Sequence, residues 1–420
     1  MKLIRTKLDL PLSVLDAWRK LRENGYTALI AGGCIRDHLL GRLPRDYDLA
    51  TTAPLEKIAQ LFPKHVDVGM KFGVVKLVNK EDFGIDVAIF RKDGVYSDRR
   101  HPDSIDIGDP KSDALRRDFT VNALFYDPDQ EEIHDYVDGY KDFEQRLIRC
   151  VGEPETRFSE DALRILRAAR FTAQLNFKLD KDTSVAMKKC SSYLEEISRE
   201  RIREELFKLL ESQKPVVGIE SLAIHGMWNA IFGIKKTTVP ADLRHFKLNW
   251  SPSPIQWLCF LRVIGLIGDP TDLKHNDVLV DKLRLTNEEK HFLSLCSRVY
   301  DDAEQATDYR SKKDEKNRVI PKISPLGWVE LARQDRRFID TLRSFVRRAR
   351  GVDWKQKENA MEFLLQATRW EKIDEKAWPK NAKDLSKKVE PGPKMGQLLR
   401  DAQWSLFWKK PASFSKEHQS

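Results

Sequence analysis

The sequence predicts an α+β protein, with a small N-terminal mixed sheet carrying helices on its faces and an almost wholly helical remainder. Three observations predict it. Between residues 27 and 130, short β-rich runs alternate with helical ones. From about residue 155 onward the apolar residues recur at helical spacing almost without interruption. At 420 residues the chain also exceeds what one small core organises, so several domains are expected.

In chain order, "TALIA" reads as a strand ending at Gly32-Gly33, and "CIRDHLLG" as a short helix closed by Gly41. "YDLAT" is a strand, and "APLEKIAQLF" an amphipathic helix with Pro54 in its first turn. "GVVKLV" and "GIDVAIF" are joined by a short polar link with Lys80, Glu81 and Asp82, which is a hairpin signal. The charged stretch from Phe90 to Phe119 has few strand signals, and a long connection of that kind inside a compact domain is expected to be functional. In "SEDALRILRAARFTAQL", Ser159 is placed as an N-cap ahead of Leu163, Leu166 and Ala169 on one face. "SRERIREELFKLLES" sets Ile202, Leu206, Leu209 and Leu210 on one side of a further helix. Beyond residue 215, helices are separated by loops such as "NWSPSP" and "YRSKKDEKNRVIPK", and "KKPASFSKEHQS" is a frayed polar end.

Composition narrows the function classes. Lys and Arg outnumber Asp and Glu by 74 to 65, a net charge of +9 that permits a polyanionic partner without demanding one. Five scattered cysteines without a CxxC pair argue against structural zinc. Their odd number, with no N-terminal signal segment, points to a reducing cytoplasm. The most apolar run, residues 257–268, contains Arg262 and falls well short of the roughly 20 residues of a membrane span.

The chemistry concentrates in "AGGCIRDHLLGRLPRDYDLAT", residues 31–51. Residues i and i+2 of a strand share a face, so Asp46 and Asp48 present two carboxylates side by side. Like charges that close call for a cation, and oxygen-only ligands suit Mg²⁺, which shares its coordination with substrate phosphates. Asp86 of "GIDVAIF" alternates against Ile85, Val87 and Ile89 and could join the pair from a neighbouring strand. Three acids on adjacent strands fit two-metal phosphoryl transfer. Gly33, opening a helix after a strand, and Arg36 on its first turn offer backbone and guanidinium donors to a phosphate. Alone, a glycine pair is usually a packing turn and a DxD a solvated loop. Together, in a strand-turn-helix-strand context, they read as a triphosphate cradle beside a metal pair.

These residues resemble a family. "GGCIRD" with "RDYDLAT", "RRDFTVNALFYD" at 116–127 and "RFSEDALRILRAARF" at 157–171 are similar, in order, to the class II tRNA nucleotidyltransferases, which include CCA-adding enzymes and bacterial poly(A) polymerases. The resemblance implies a polymerase-β-like nucleotidyltransferase head at 1–145, a helical neck at 146–212, a helical body at 213–300 and a tRNA-binding tail at 301–420. It assigns metal binding to Asp46 and Asp48, with Asp86 as a further catalytic acid. Nucleotide contacts go to Gly33, Arg36 and Arg117, and Asp118 and Asn122 lie near the sugar. In "EDALR", Asp161 and Arg164, three apart on a helix, share one side of it. A carboxylate accepting from an exocyclic amine and a guanidinium donating to ring nitrogen or carbonyl fit cytosine and adenine and reject uracil and guanine. Elsewhere such a pair would be a surface ion pair. Arg167 and Arg170 extend the stripe and, as the resemblance implies, help hold the nucleotide.

The expected activity is therefore addition of C, C and A to the 3′ end of tRNA from CTP and ATP, with Mg²⁺, in the cytoplasm and away from membranes. The full length of the loop before Phe119 argues against a CC-only enzyme, and "PGPKMGQLLRDA" resembles the CCA-type tail. Lys312, Lys313, Arg347, Arg348, Lys387 and Lys388 are candidate tRNA contacts, since A-form RNA is held by shape and phosphates. Two alternatives stay open: a poly(A) polymerase or A-adding enzyme of the same fold, and a non-catalytic RNA-binding relative. No adjacent His-Asp with further His ligands marks a metal pair, so an appended phosphohydrolase domain is not expected.

Overall fold

A computed structural model of the chain describes residues 1–69, 73–78, 83–94, 104–234, 239, 253–263, 282–290, 292 and 293. The hairpin link at Lys80 to Asp82, the first four residues of "NWSPSP", the loop "YRSKKDEKNRVIPK", the tail 301–420 with its six candidate basic residues, and most of the body lie outside the described residues. The chain divides into two units, Met1–Ile231 and Phe232–Ser420. In the second, the described helix Pro254–Val263 carries the apolar run that starts at Trp257, and Trp257, Leu258 and Leu261 are buried. Among the described residues no helix is long and apolar enough to cross a membrane.

The first unit is built on an eight-stranded sheet. Its strands are β1 (Lys2–Arg5), β2 (Ala28–Ala31), β3 (Asp46–Thr51), β4 (His65–Gly69), β5 (Val74–Leu77), β6 (Gly84–Ile89), β9 (Leu124–Asp127) and β10 (Glu132–Asp135), in the spatial order β1-β10-β9-β2-β3-β6-β5-β4. β3 and β6 run parallel; the other neighbours are antiparallel. Helices α1 (Leu12–Glu23), α2 (Gly33–Leu39) and α3 (Leu55–Leu61) accompany it, and Val14, Trp18, Leu21, Ile35 and Ile58 are buried in one core with Ile30, Leu49 and Val87 of the strands. The alternation in "GIDVAIF" is kept: Ile85, Val87 and Ile89 are buried, and Asp86 faces the other way.

Two details differ from the sequence reading near the sheet. Pro54 precedes α3 as its extended N-cap and is not in the first turn. The stretch from Phe90 to Phe119, read as having few strand signals, holds a two-stranded antiparallel ribbon of β7 (Arg91–Asp93) and β8 (Ile105–Ile107). It then enters α4 (Pro110–Arg116), where Asp109 and Ser112 form a capping box with Pro110 in the first turn.

The chain leaves the sheet through α5 (Gly139–Glu144) and continues as helices: α6 (Pro154–Glu160), α7 (Leu163–Leu175), α8 (Lys181–Lys189), α9 (Arg199–Leu210), α10 (Pro215–Ile224) and α11 (Met227–Phe232). The expected faces are the buried ones: Leu163, Leu166 and Ala169 on α7, and Ile202, Leu206, Leu209 and Leu210 on α9. The start of α7 is not where the sequence placed it. Ser159 lies inside α6 and donates to the Thr156 carbonyl rather than capping α7. The break falls at Asp161 (φ −143°, ψ 101°), whose Oδ1 accepts from Leu163 N at 3.2 Å. Asp161 and Arg164 therefore do not share a helix, because the Asp161 carboxylate competes for the backbone and starts α7 anew.

Candidate active site

The sheet, together with residues of α2, α4, α7 and α9, lines a cleft of about 690 Å³. It brings together all twelve residues singled out in the sequence: Gly33, Arg36, Asp46, Asp48, Asp86, Arg117, Asp118, Asn122, Asp161, Arg164, Arg167 and Arg170 all line it. Residues 33 to 170 meet there because β2, β3 and β6 are neighbours in the sheet and Arg167 of α7 is bonded to Asp118, a few residues ahead of β9.

The acidic corner is set by strand register. Asp48 pairs with Asp86 across the parallel β3–β6 ladder, so the two carboxylates stand side by side, with Asp46 two residues earlier on the same face. Gly84 makes room for the outermost one, since a Cβ there would lie 2.5 Å from Asp46 Oδ1. Gly32 (φ 76°) does the same inside: its Cβ would lie 2.7 Å from Arg117 Nη1 and 3.5 Å from Asp48 Oδ2. Burial, with the Asp86 and Asp46 charges adding, pushes the Asp48 carboxyl up to about 6 against the pull of Arg117. Asp86 is also raised, first by burial, with Lys76 opposing.

This donor set fits a small hard cation. It is all-oxygen and its negative charges are crowded together. Among the described residues neither Asp46 nor Asp48 makes an ion pair, and the buried Oδ1 of Asp86 has no hydrogen-bond partner, with Lys76 Nζ 3.7 Å away. Among the described residues no three acidic, His or Cys side chains are grouped closely enough to hold an ion by themselves. The buried Cys34 thiol beside Asp48 is pushed up to about 12 by burial and donates to the Ala31 carbonyl, so it stays protonated.

The opposite wall is cationic and tied down. Arg117 donates from Nε and Nη2 to Asp113 Oδ2 at 3.1 and 2.9 Å and from Nη1 to the Asn122 carbonyl at 3.1 Å. Asp113 is fully buried and also accepts from Arg116 Nε (2.8 Å) and Arg91 N (3.1 Å). Arg36 donates to Asp37 Oδ1 at 2.8 and 3.0 Å and to Asn122 Oδ1. Its helix α2 begins at Gly33 with no side chain capping the end. Asp118 accepts from Arg167 at 2.5 and 2.8 Å, from Asn122 Nδ2 at 3.2 Å and from Phe119 N at 2.8 Å. Although burial opposes it, the Arg167 guanidinium and these bonds hold the Asp118 carboxyl down at about 2.

The side chains of "EDALR" are likewise engaged. Asp161 is met by Arg201 Nη2 at 3.2 Å on both oxygens. Arg164 donates to Glu160 Oε2 (2.7 Å) and to the carbonyls of Arg157 (3.1 Å) and Arg116 (3.0 Å). Arg170 Nε is 2.6 Å from Glu205 Oε2, and Arg167 Nη1 is 3.7 Å from Oε1 of the same carboxylate. Sequence reasoning missed Asp113, Phe171, Arg201 and Glu205. A signal for the last two existed: in "RERIREEL" they sit at i and i+4, a charged pair flanking the apolar face of α9.

Parts of the chain match known proteins. Residues 28–149 match the model of the poly A polymerase head domain, and residues 176–235 that of the probable RNA and SrmB-binding site of polymerase A. The chain is 44 % identical over 207 residues to the CCA-adding enzyme of Ligilactobacillus salivarius, covering 49 % of this chain and 51 % of that one. It is 37 % identical over 261 residues to the CCA-adding enzyme of Bacillus licheniformis, covering 61 % and 65 %. The chain thus spans about half the length of the first of these curated relatives. Among solved structures it resembles the Bacillus stearothermophilus CCA-adding enzyme in complex with CTP, with a TM-score of 0.68 and 27 % identity over 95 % of this chain and 93 % of that one.

Proposed function

We propose that this chain, which belongs to the poly(A) polymerase and tRNA nucleotidyltransferase family, adds C, C and A to the 3′ end of tRNA from CTP and ATP with release of pyrophosphate. One observation carries the reading: crowded carboxylates, phosphate-competent arginines and a carboxylate–guanidinium pair able to read a base edge line a single cleft.

Asp46 and Asp48 would hold the divalent ions, Mg²⁺ by ligand hardness, with Asp86 contributing charge beside them. When bound, such ions polarise the attacking hydroxyl and stabilise the departing oxygen. The rest is done by the chain's own groups. Gly33 at the start of α2, Arg36 and Arg117 receive the triphosphate, and Asp113 keeps the Arg117 fork aimed into the cleft. Asp118 and Asn122 lie against the sugar. Asp161, whose oxygens retain lone pairs beyond those used by Arg201, accepts from the exocyclic amine of cytosine or adenine, and Arg164 donates to the ring edge. Arg167 and Arg170 line the nucleotide from α7. Fixed donors and acceptors of this kind work by positioning, aligning the tRNA 3′ hydroxyl in line with the α-phosphate.

The head then ends near residue 145, the neck runs through 146–212, and the body (213–300) and basic tail (301–420) hold tRNA by shape and phosphate contacts, in the cytoplasm. A second reading, poly(A) or A-only addition, shares every residue of the cleft and is favoured only by the head-domain match itself. Purified protein given a tRNA lacking its terminal CCA, Mg²⁺ and one nucleotide at a time separates the two. CTP incorporation followed by ATP supports CCA addition; ATP incorporation without CTP excludes it; no incorporation at all supports a non-catalytic RNA binder.

A further inference from the structure

Phe171 closes the stretch "RFSEDALRILRAARF" without an assigned role, yet three cleft arginines converge on its ring. The guanidinium carbon of Arg170 is 4.2 Å from the ring centroid, that of Arg167 5.4 Å and that of Arg36 5.5 Å. Phe171 is buried on α7, lines the cleft, and meets Phe119 edge-on at 5.6 Å and 76°. Each arginine is anchored by its own acid or amide: Arg36 by its neighbour Asp37 and by Asn122, Arg167 by Asp118, Arg170 by Glu205. Three like charges drawn from α2 and α7 toward one ring repel one another and lose hydration, and burial is the first reason that the Arg170 guanidinium is held below its ordinary value. A phenyl ring presents a negative π face that attracts each cation and gains strength where water is excluded. A leucine would fill similar space without that attraction.

We propose that Phe171 is a positioning residue for the nucleotide: its π face gathers Arg36, Arg167 and Arg170 into one cationic lining for a nucleoside triphosphate. The inference rests on the nucleotide reading above. The ring attracts the guanidiniums without consuming their charge, as another carboxylate would. They remain available to an anionic ligand while the surrounding acids fix their direction.

The test replaces Phe171 in the full chain with mono-, di- and trifluorinated phenylalanine, which keep the ring's shape and progressively weaken its π face, with Phe171→Leu as the end of the series. Affinity for CTP and for ATP with Mg²⁺ is measured by calorimetry, and thermal stability is followed in parallel. The dissociation constants should rise stepwise with fluorination, reaching roughly tenfold in the trifluoro protein, at nearly constant melting temperature. A flat series beside a wild-type chain that binds both nucleotides would overturn the positioning role and leave the nucleotide reading standing, reducing Phe171 to core packing. A wild-type chain that binds neither nucleotide would overturn the nucleotide reading and this inference with it.

Discussion

The two walls of the cleft are built on opposite electrostatic plans. On the sheet side, Asp46 and Asp48 make no ion pair among the described residues, and Asp48 is pushed up to about 6 by burial and by its acidic neighbours. On the helical side every arginine considered is matched to an acid or amide: Arg117 to Asp113, Arg167 to Asp118, Arg170 to Glu205, Arg36 to Asp37 and Asn122. There Asp118 is held down at about 2. One wall is left short of positive charge; on the other each of these arginines already has its partner. On the proposed reading, the difference separates the part of the site that takes an ion from the part that selects and orients the nucleotide.

Breaking the uncompensated wall should have the largest effect. Asp48→Ala is expected to lower nucleotide incorporation by at least ~10³-fold, because the ion-mediated charge stabilisation is lost. Its metal-free melting temperature at neutral pH should be unchanged or higher, since a buried and unpaired charge is removed. Next, Asp161→Asn exchanges one accepting oxygen for a donor; discrimination of CTP over UTP in primer-extension kinetics should fall by about 10²-fold, with a smaller loss in turnover. On the compensated wall the consequence is for stability. Asp118→Asn should cost on the order of 2 kcal/mol at neutral pH in denaturant unfolding. The sign follows from the depressed carboxyl: the stabilisation is present above about 4, its unfolded value, and is lost as pH falls toward about 2, so the variant should show a flatter acid limb than the wild type. The smallest effect sharpens the comparison. With its carboxyl raised to about 6, Asp48 favours the native state when protonated, and metal-free stability should decline as pH rises from about 4 through that value. Mg²⁺ should therefore raise the melting temperature more at pH 8 than at pH 5, where protons compete for the same oxygens.

How much of this was legible in the sequence depended on how local each signal was. Asp46 and Asp48 are i and i+2 on one strand, and Asp86 sits in a run whose alternation fixes its face, so the acidic wall could be read directly. The fold class followed from the change of apolar period near residue 155. Asp113 was legible in principle, since it lies i, i+3 and i, i+4 from Arg116 and Arg117 on α4, whereas Glu205 and Arg201, visible as charges beside the apolar face of α9, reach Arg170 and Asp161 only through the tertiary arrangement. The start of α7 was misjudged for a related reason. "SEDALR" contains no glycine or proline and favours a continuous helix, but the Asp161 carboxylate takes the Leu163 amide and breaks it. The ribbon of β7 and β8 was hidden in charged sequence, where strand pairing is decided by the partner strand rather than by composition.

The central claim, that the sheet wall demands a cation while the helical wall stands ready for the nucleotide, can be tested in one diffraction experiment. Crystals grown with Mn²⁺ and a non-hydrolysable CTP analogue would be measured at the manganese edge. The account predicts anomalous density between the oxygens of Asp46 and Asp48, touching the triphosphate, with Arg167 still on Asp118. A bound analogue whose ion lies away from both aspartates, or an acidic wall closed over by lysine or arginine, would contradict it.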